Sequence, residues 1–348
     1  AETAGIIGME STMILYDENR NEGLLEFGIQ IPVLASRAAK TFDFLKCHKV
    51  LGPNIDHWHI SEIKEQITKE DLLRVHSSEY VRKLFSAELE GEIMRTYELI
   101  DAQSNYFRYD PDAATLPLHR LFDRTLTTVA GTVACCRQAL DNSFCYAFGG
   151  GMHHAQHDYG AGFCPLNDIV IAIRKLQAEN RIRTAWVIDT DAHKGDGTAA
   201  LTRGDDTITT LSIHMADSWP LDGEKYDKAG SLNPSFIASD IDIPMARGED
   251  HLYVSRLDEG LSKLTGMPRP DLAVVVSGAD PFEKDKLPST ADLKLSLEQM
   301  MQRDLLVYQF LKSRKIPRAY LMAGGYGESS WQVFAQFLEW VLLDRLTK

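Results

Sequence analysis

The stretch that most limits what this chain can become is Ala185-Trp186-Val187-Ile188, running directly into Asp189-Thr190-Asp191-Ala192-His193-Lys194-Gly195-Asp196-Gly197. Four uncharged, partly β-branched residues read as a strand buried on both faces of a parallel sheet. Open α/β sheets place their chemistry just beyond the carboxyl ends of such strands. Here that end carries several carboxylates and an imidazole, and desolvated carboxylates are costly unless paired or bound to a cation. Asp191 and His193 lie two apart, so in an extended segment they project from one side and can share a metal ion. The plainer reading makes Asp189 a helix cap and His193 a loop residue.

Three further apolar runs end in the same manner. Cys145-Tyr146-Ala147-Phe148 leads into Gly149-Gly150-Gly151-Met152-His153-His154, and Leu272-Ala273-Val274-Val275-Val276 into Ser277-Gly278-Ala279-Asp280. Residues 318–322 lead into Ala323-Gly324-Gly325-Tyr326-Gly327. Taken singly, a His-His pair, an Asp after Gly-Ala or a Gly-Gly-Tyr turn is more often structural than functional. In a parallel sheet, however, all four ends fall on one edge and become neighbours. The chemistry that fits is a single metal with an open coordination position, held by Asp191, His193 and Asp280, whose bound water would titrate at roughly 7. His153 and His154 can flank that water as base and acid. Each needs a carboxylate to fix its tautomer, and Asp189 and Asp196 are available. Tyr326 can donate its hydroxyl to a developing oxyanion. Metal, base, acid and oxyanion donor together describe an amide hydrolase.

Between these points strands alternate with helices. Strands are expected near 12–16, 145–148, 185–188, 207–212, 236–244 (edge or mixed), 272–276 and 318–322. Helices are expected over 35–47, within 60–85, and over 117–140, 167–179, 198–203, 250–264, 291–313 and 329–345, with Asn167 or Asp168 capping the fourth of these. Residues 100–116 read as a long functional rim loop, and His214 and Trp219 as members of a loop after the 207–212 strand. The expected fold is α/β: one domain over 1–348, three layers α/β/α around a mostly parallel sheet. Residues 1–11 read as a flexible or expression-derived leader to it.

Bulk properties narrow the function. A net charge of −13 disfavours nucleic acid as a direct partner and is compatible with a cationic substrate. No apolar run is long enough for a membrane span, and the N-terminal residues lack a secretory pattern. Cys47, Cys135, Cys136, Cys145 and Cys164 form no Cys-x-x-Cys pair, which argues against a thiolate zinc site and for a reducing, cytoplasmic setting.

The successive motifs Gly149 to Ala155, Gly162-Phe163-Cys164-Pro165-Leu166-Asn167-Asp168, Asp189 to Gly197, Ser277 to Asp280 and Gly324-Gly325-Tyr326 resemble, in order, those of the zinc-dependent histone deacetylase family, with the arginase/deacetylase fold. The segment Asp71 to Val81 and the Gly-Phe-Cys motif look nearest to its bacterial and class IV-like branch. The resemblance implies Zn2+ (or Fe2+) on Asp191, His193 and Asp280. It also implies His154 as proton shuttle backed by Asp196, His153 as electrostatic partner backed by Asp189, and Tyr326 as catalytic tyrosine. Gly162 and Phe163 would line an acyl-lysine tunnel, with Trp219 as a second aromatic wall. A structural K+ would sit among Asp189, Asp191, His193 and Ser212, and Arg37 would lie below the pocket. The implied substrate is an acylated lysine in a peptide or protein, or another acylated amine such as an acetylpolyamine.

Departures from the family pattern cluster at the rim. Gln30-Ile31-Pro32 stands where a His-Pro is common, 281–288 lacks the usual glycines, and Ala323 replaces a glycine. Asp101, Asp110 and Asp112 are all candidates for the aspartate that contacts substrate backbone. Three other classes compete with this reading. A haloacid-dehalogenase phosphohydrolase would carry a small or β-branched residue at 193. An arginase-type dimanganese enzyme needs an aspartate where Gly195 stands. A non-catalytic acyl-lysine reader would be expected to have lost a ligand, a histidine or Tyr326.

Overall fold

The computed structural model describes residues 13–19, 23–34 and 36–346. The expected leader 1–11 and the first residue of the first strand, Thr12, lie outside them. In chain order the strands are β1 (Met13–Leu15), β2 (His59–Ile60), β3 (Phe144–Ala147), β4 (Ala185–Asp189), β5 (Ile208–Met215), β6 (Ile241–Met245), β7 (Leu272–Ser277) and β8 (Arg318–Met322). The helices are α1 (Ser36–Lys46), α2 (Lys69–Leu73), α3 (Ser78–Leu84), α4 (Leu89–Thr96), α5 (Arg120–Asn142), α6 (Asp168–Ala178), α7 (Asp196–Thr202), α8 (Tyr253–Leu264), α9 (Leu297–Ser313) and α10 (Trp331–Leu346). The strands form a single sheet in the order β2-β1-β3-β8-β7-β4-β5-β6. Every pairing between them is parallel. Among the described residues the expected parallel sheet is parallel throughout.

Side-chain alternation along the strands sorts residues to two unlike faces. Ile14, Phe144, Tyr146, Trp186, Ile188, Val275, Tyr320 and Met322 join a large cluster with residues of α1, α8, α9 and α10. Their neighbours Leu15, Cys145, Ala147, Ala185, Val187, Val274, Ala319 and Leu321 pack against α5 and α6. One face is aromatic and thick. The other is lined by small residues, so α5 and α6 can lie close over the central strands.

Several elements differ from expectation for identifiable reasons. Residues 61–68 are irregular, and two short helices follow, started by Thr68, which accepts from Asp71 N, and Ser77, which accepts from Tyr80 N. Local caps therefore divide a segment that is charged and helical in pattern. β2 is too short to give a periodic signal. β6 is a parallel edge strand, and its Pro244 is exposed there, where a missing N–H costs little. His214 belongs to β5 and is buried rather than sitting in a loop. α9 begins only after Ser296, which forms a capping box with Gln299. No described helix is long and apolar enough to cross a membrane.

The unlike faces make opposite demands on substitution. Ala319→Leu should overpack the α5 side and cost about 1–3 kcal/mol, whereas Phe337→Ala should leave a cavity on the other side and cost about 3–5 kcal/mol. Denaturant unfolding at fixed m-value checks both.

Candidate metal centre and active site

β4 and β7 are neighbours in register, Asp189 beside Val276, so the turns that follow them meet. Those turns bring Asp191, His193 and Asp280 together, all buried, with one potential ligand atom from each within 4.8 Å of the others. His193 presents Nδ1 to both carboxylates, 3.2 Å from Asp191 Oδ1 and 3.0 Å from Asp280 Oδ2. Backbone amides hold the acids in place: Ala192 N donates to Asp280 Oδ1 (3.0 Å) and Gly324 N to Asp191 Oδ2 (3.0 Å). A Cβ at Gly278 or Gly324 would drive into these carboxylates, so their glycines are required by close approach.

This donor set fits a divalent cation. Burial and the neighbouring Asp191 charge push the Asp280 carboxyl up to about 7. Burial alone would lower the His193 imidazole, but its hydrogen bonds to Asp191 and Asp280 outweigh that and raise it to about 10. A site with this balance binds positive charge, and two oxygens with one imidazole nitrogen suit zinc or ferrous iron.

The tandem histidines stand beside it, ring centroids 3.9 Å apart. His153 donates Nδ1–H to Asp189 Oδ2 (2.6 Å) and His154 donates Nδ1–H to Asp196 Oδ1 (2.7 Å). Each therefore has the carboxylate expected for it. Burial would lower His153, but the charges of Asp189 and Asp191 prevail and hold it at about 9. Burial and the charge of His153 press His154 down to about 4. Adjacent imidazoles thus carry opposite protonation states at neutral pH. Burial raises the Tyr326 phenol well above its ordinary value, reinforced by Asp280 and Asp191.

These groups share a cavity of about 480 Å3 whose lining includes His153, His154, Gly162, Phe163, Tyr326 and Arg37. Phe163 stacks on Tyr97 (6.0 Å) and meets Tyr326 edge-on (6.3 Å). Gly162, at φ +53°, lies directly under Trp219 and His154, leaving no room for a side chain. Trp219 stands edge-on to His154 (4.5 Å) and His193 (5.7 Å), so it belongs to the site. Arg37 Nη1 donates to Gly325 O (3.0 Å), bracing the Tyr326 turn. Ser212 lies beside Asp189 in register, and its Oγ is 3.0 Å from His214 Nδ1. Asp101 is exposed and accepts from Gln103 N and Asn105 N, while Asp110 caps the 111–113 turn, leaving exposed Asp112 the less committed of the three rim acids.

Several supporting residues were not evident from sequence. Arg303 on α9 is fully buried and donates Nη1–H to Thr190 O (3.1 Å) and Gly278 O (2.6 Å), tying the two ligand turns together. Its partner Asp304 contacts Nη2 at 2.7 Å. The available signal was a charged pair on the inward stripe of an amphipathic helix. Asn167 caps α6, whereas Asp168 turns back to accept from Gly151 N (3.0 Å) and Met152 N (2.6 Å), fixing the glycine turn before His153. Gln156 Nε2 (2.9 Å) and Ser235 Oγ (2.7 Å) both donate to Asp196 Oδ2. His76 donates Nδ1–H to Gln156 O (2.8 Å) and accepts Asn167 N–H at Nε2 (3.1 Å).

A family model, the histone deacetylase domain, matches residues 32–341. The chain belongs to the histone deacetylase family. It is 27% identical over 278 residues to histone deacetylase 2 of Arabidopsis thaliana, covering 79% of this chain and 65% of that one. An uncharacterized protein of Picosynechococcus is 31% identical over 207 residues, covering 59% of this chain and 64% of its own length. The acetoin utilization protein AcuC of Staphylococcus aureus is 26% identical over 286 residues, covering 80% and 68% respectively. The chain thus spans slightly less than two thirds of the first relatives it matches. A crystal structure of an HDAC homologue complexed with SAHA shares the fold at TM-score 0.68 and 19% identity, covering 97% of this chain and 84% of that one.

Two outcomes follow from this geometry. Asp280→Asn should lower bound zinc or iron below one equivalent by elemental analysis; full occupancy would remove Asp280 from the ligand set. His76 is held near 4 in the fold, chiefly by burial, against an ordinary 6.5. Below pH 6.5 the unfolded chain takes up a proton that the folded one refuses, so stability is intact above 6.5 and falls toward pH 4. Replacing His76 by Gln should flatten that part of the pH–stability curve in denaturant titrations.

Proposed function

We propose that this chain is one catalytic domain that hydrolyses the amide of an acylated lysine side chain, acetyl or longer, at a zinc centre on Asp191, His193 and Asp280. The observation that carries the reading is the pairing of a cation-demanding Asp–His–Asp set with two adjacent histidines, one charged and one neutral. Zn2+, or Fe2+, would supply Lewis acidity toward the acyl carbonyl and acidify a water.

The protein's own groups account for the rest. His154 is neutral with Nδ1–H committed to Asp196, so Nε2 is the nitrogen free to take a proton from water and return it to the departing amine. His153, protonated against Asp189, keeps positive charge beside the reacting centre and makes a second proton on His154 short-lived. Tyr326 stays protonated because burial opposes the phenolate, and can donate to the oxyanion. Gly162, Phe163 and Trp219 support a narrow entry that admits an extended aliphatic chain. A structural K+ is supported by the adjoining strand ends carrying Asp189 and Ser212, with Asp191 and His193 completing the site.

The net charge of −13 also suits a small polycation, so an acetylpolyamine is the second substrate reading. Lysine peptides bearing acetyl to long-chain acyl groups, assayed beside acetylated polyamines, decide between them; no turnover on either class would sink the proposal. Tyr326→Phe should keep its zinc while kcat falls about 100- to 1,000-fold. Unchanged turnover would take Tyr326 out of the reaction.

A further inference from the structure

His153 and His154 each rest the nitrogen turned away from the site on a carboxylate, but His193 rests its own on a hydroxyl. Its Nδ1 faces Asp191 and Asp280, while its Nε2 lies 3.0 Å from the hydroxyl of Ser289. We infer that Ser289 is a positioning residue for the metal centre: it accepts the Nε2–H of His193 and so holds the ring with Nδ1 aimed at the site. The inference rests on reading Asp191, His193 and Asp280 as metal ligands.

A neutral imidazole has one lone pair to give, and the nitrogen that gives it is set by what the other nitrogen's proton bonds to. A hydroxyl performs that service without charge. Two ligand carboxylates already balance a divalent ion, and a third acid behind His193 would leave the buried set net negative. Serine is thus matched to this position in a way that aspartate is matched to the histidines that shuttle or store a proton.

The hydroxyl is held where it is by the segment that follows Asp280. Ser289 sits in the short turn Pro288–Thr290. Thr290 Oγ1 donates to Asp285 Oδ1 (3.0 Å) and to Leu287 O (2.7 Å), and Leu287 N donates to Asp285 Oδ1 (2.9 Å). The other oxygen of Asp285 accepts from Tyr326 N (2.7 Å), and Lys286 N donates to Tyr326 O (3.0 Å). One loop therefore begins at a metal ligand, grips the backbone of Tyr326, and ends against the far nitrogen of His193. It is also the loop whose sequence, 281–288, departs from the family's glycine-rich form.

The test is zinc affinity, measured on the metal-stripped protein by competition with a chromophoric chelator. Ser289→Ala should weaken zinc binding on the order of 10-fold or more, and Ser289→Thr, which keeps the hydroxyl, should restore it to near the unsubstituted value. Ser289→Ala binding zinc within twofold of the unsubstituted protein would overturn the inference and leave the metal-site reading standing. Equal weakening in the alanine and threonine variants would also overturn it, by tracing the loss to packing. An unsubstituted protein that takes up no zinc would overturn the metal-site reading itself, and this inference with it.

Discussion

The fold is arranged around two carboxylates that are forced together out of water. At a protein-like dielectric, two unit charges about 4 Å apart repel by roughly 4 kcal/mol. The Asp191 and Asp280 charges are tolerated because each accepts a backbone N–H, from Gly324 and Ala192 respectively, and because His193 stands between them. Hydrogen bonds to a charged group are worth about 1.5–3 kcal/mol each, so the amides offset much of the repulsion but leave a demand for positive charge. Arg303 answers a different part of the problem. Its guanidinium touches carbonyls of both turns rather than the acids themselves, so it fixes their spacing without neutralising them.

The same charge balance separates the two tandem histidines. They are chemically identical, each buried and each paired with an aspartate, yet they settle about five pH units apart, near 9 and near 4. His153 faces Asp189 and Asp191 together, while His154 is lowered first by burial and then by the charge of its neighbour. Ser235 and Gln156 help hold Asp196 as the anion that His154 needs.

Residues that alternate along a strand, or that follow it at once, were legible from the chain alone. The apolar runs 185–188, 272–276 and 318–322 and the acids and histidines after them are found where periodicity places them, and each of His153 and His154 meets its expected aspartate. What escaped was long-range and carried by ordinary side chains. Nothing about Arg303, Ser289 or Asp285 in isolation distinguishes a buried clamp from a surface residue; their role exists only once α9 and the 281–290 loop are folded against two other turns. Elements ruled by caps rather than by period escaped too. Thr68, Ser77 and Ser296 each start a helix later than the apolar pattern suggests.

The order of the strands carries a consequence for how the molecule is assembled. β8, the last of the eight in sequence, pairs with β3 on one side and β7 on the other. Without it the sheet is two separate ribbons, β2-β1-β3 and β7-β4-β5-β6, with the histidine pair on one and the acid–imidazole trio on the other. Contacts of such long sequence separation form slowly. Residues 318–322 are therefore the seam that makes two half-sheets one and sets the halves of the site face to face.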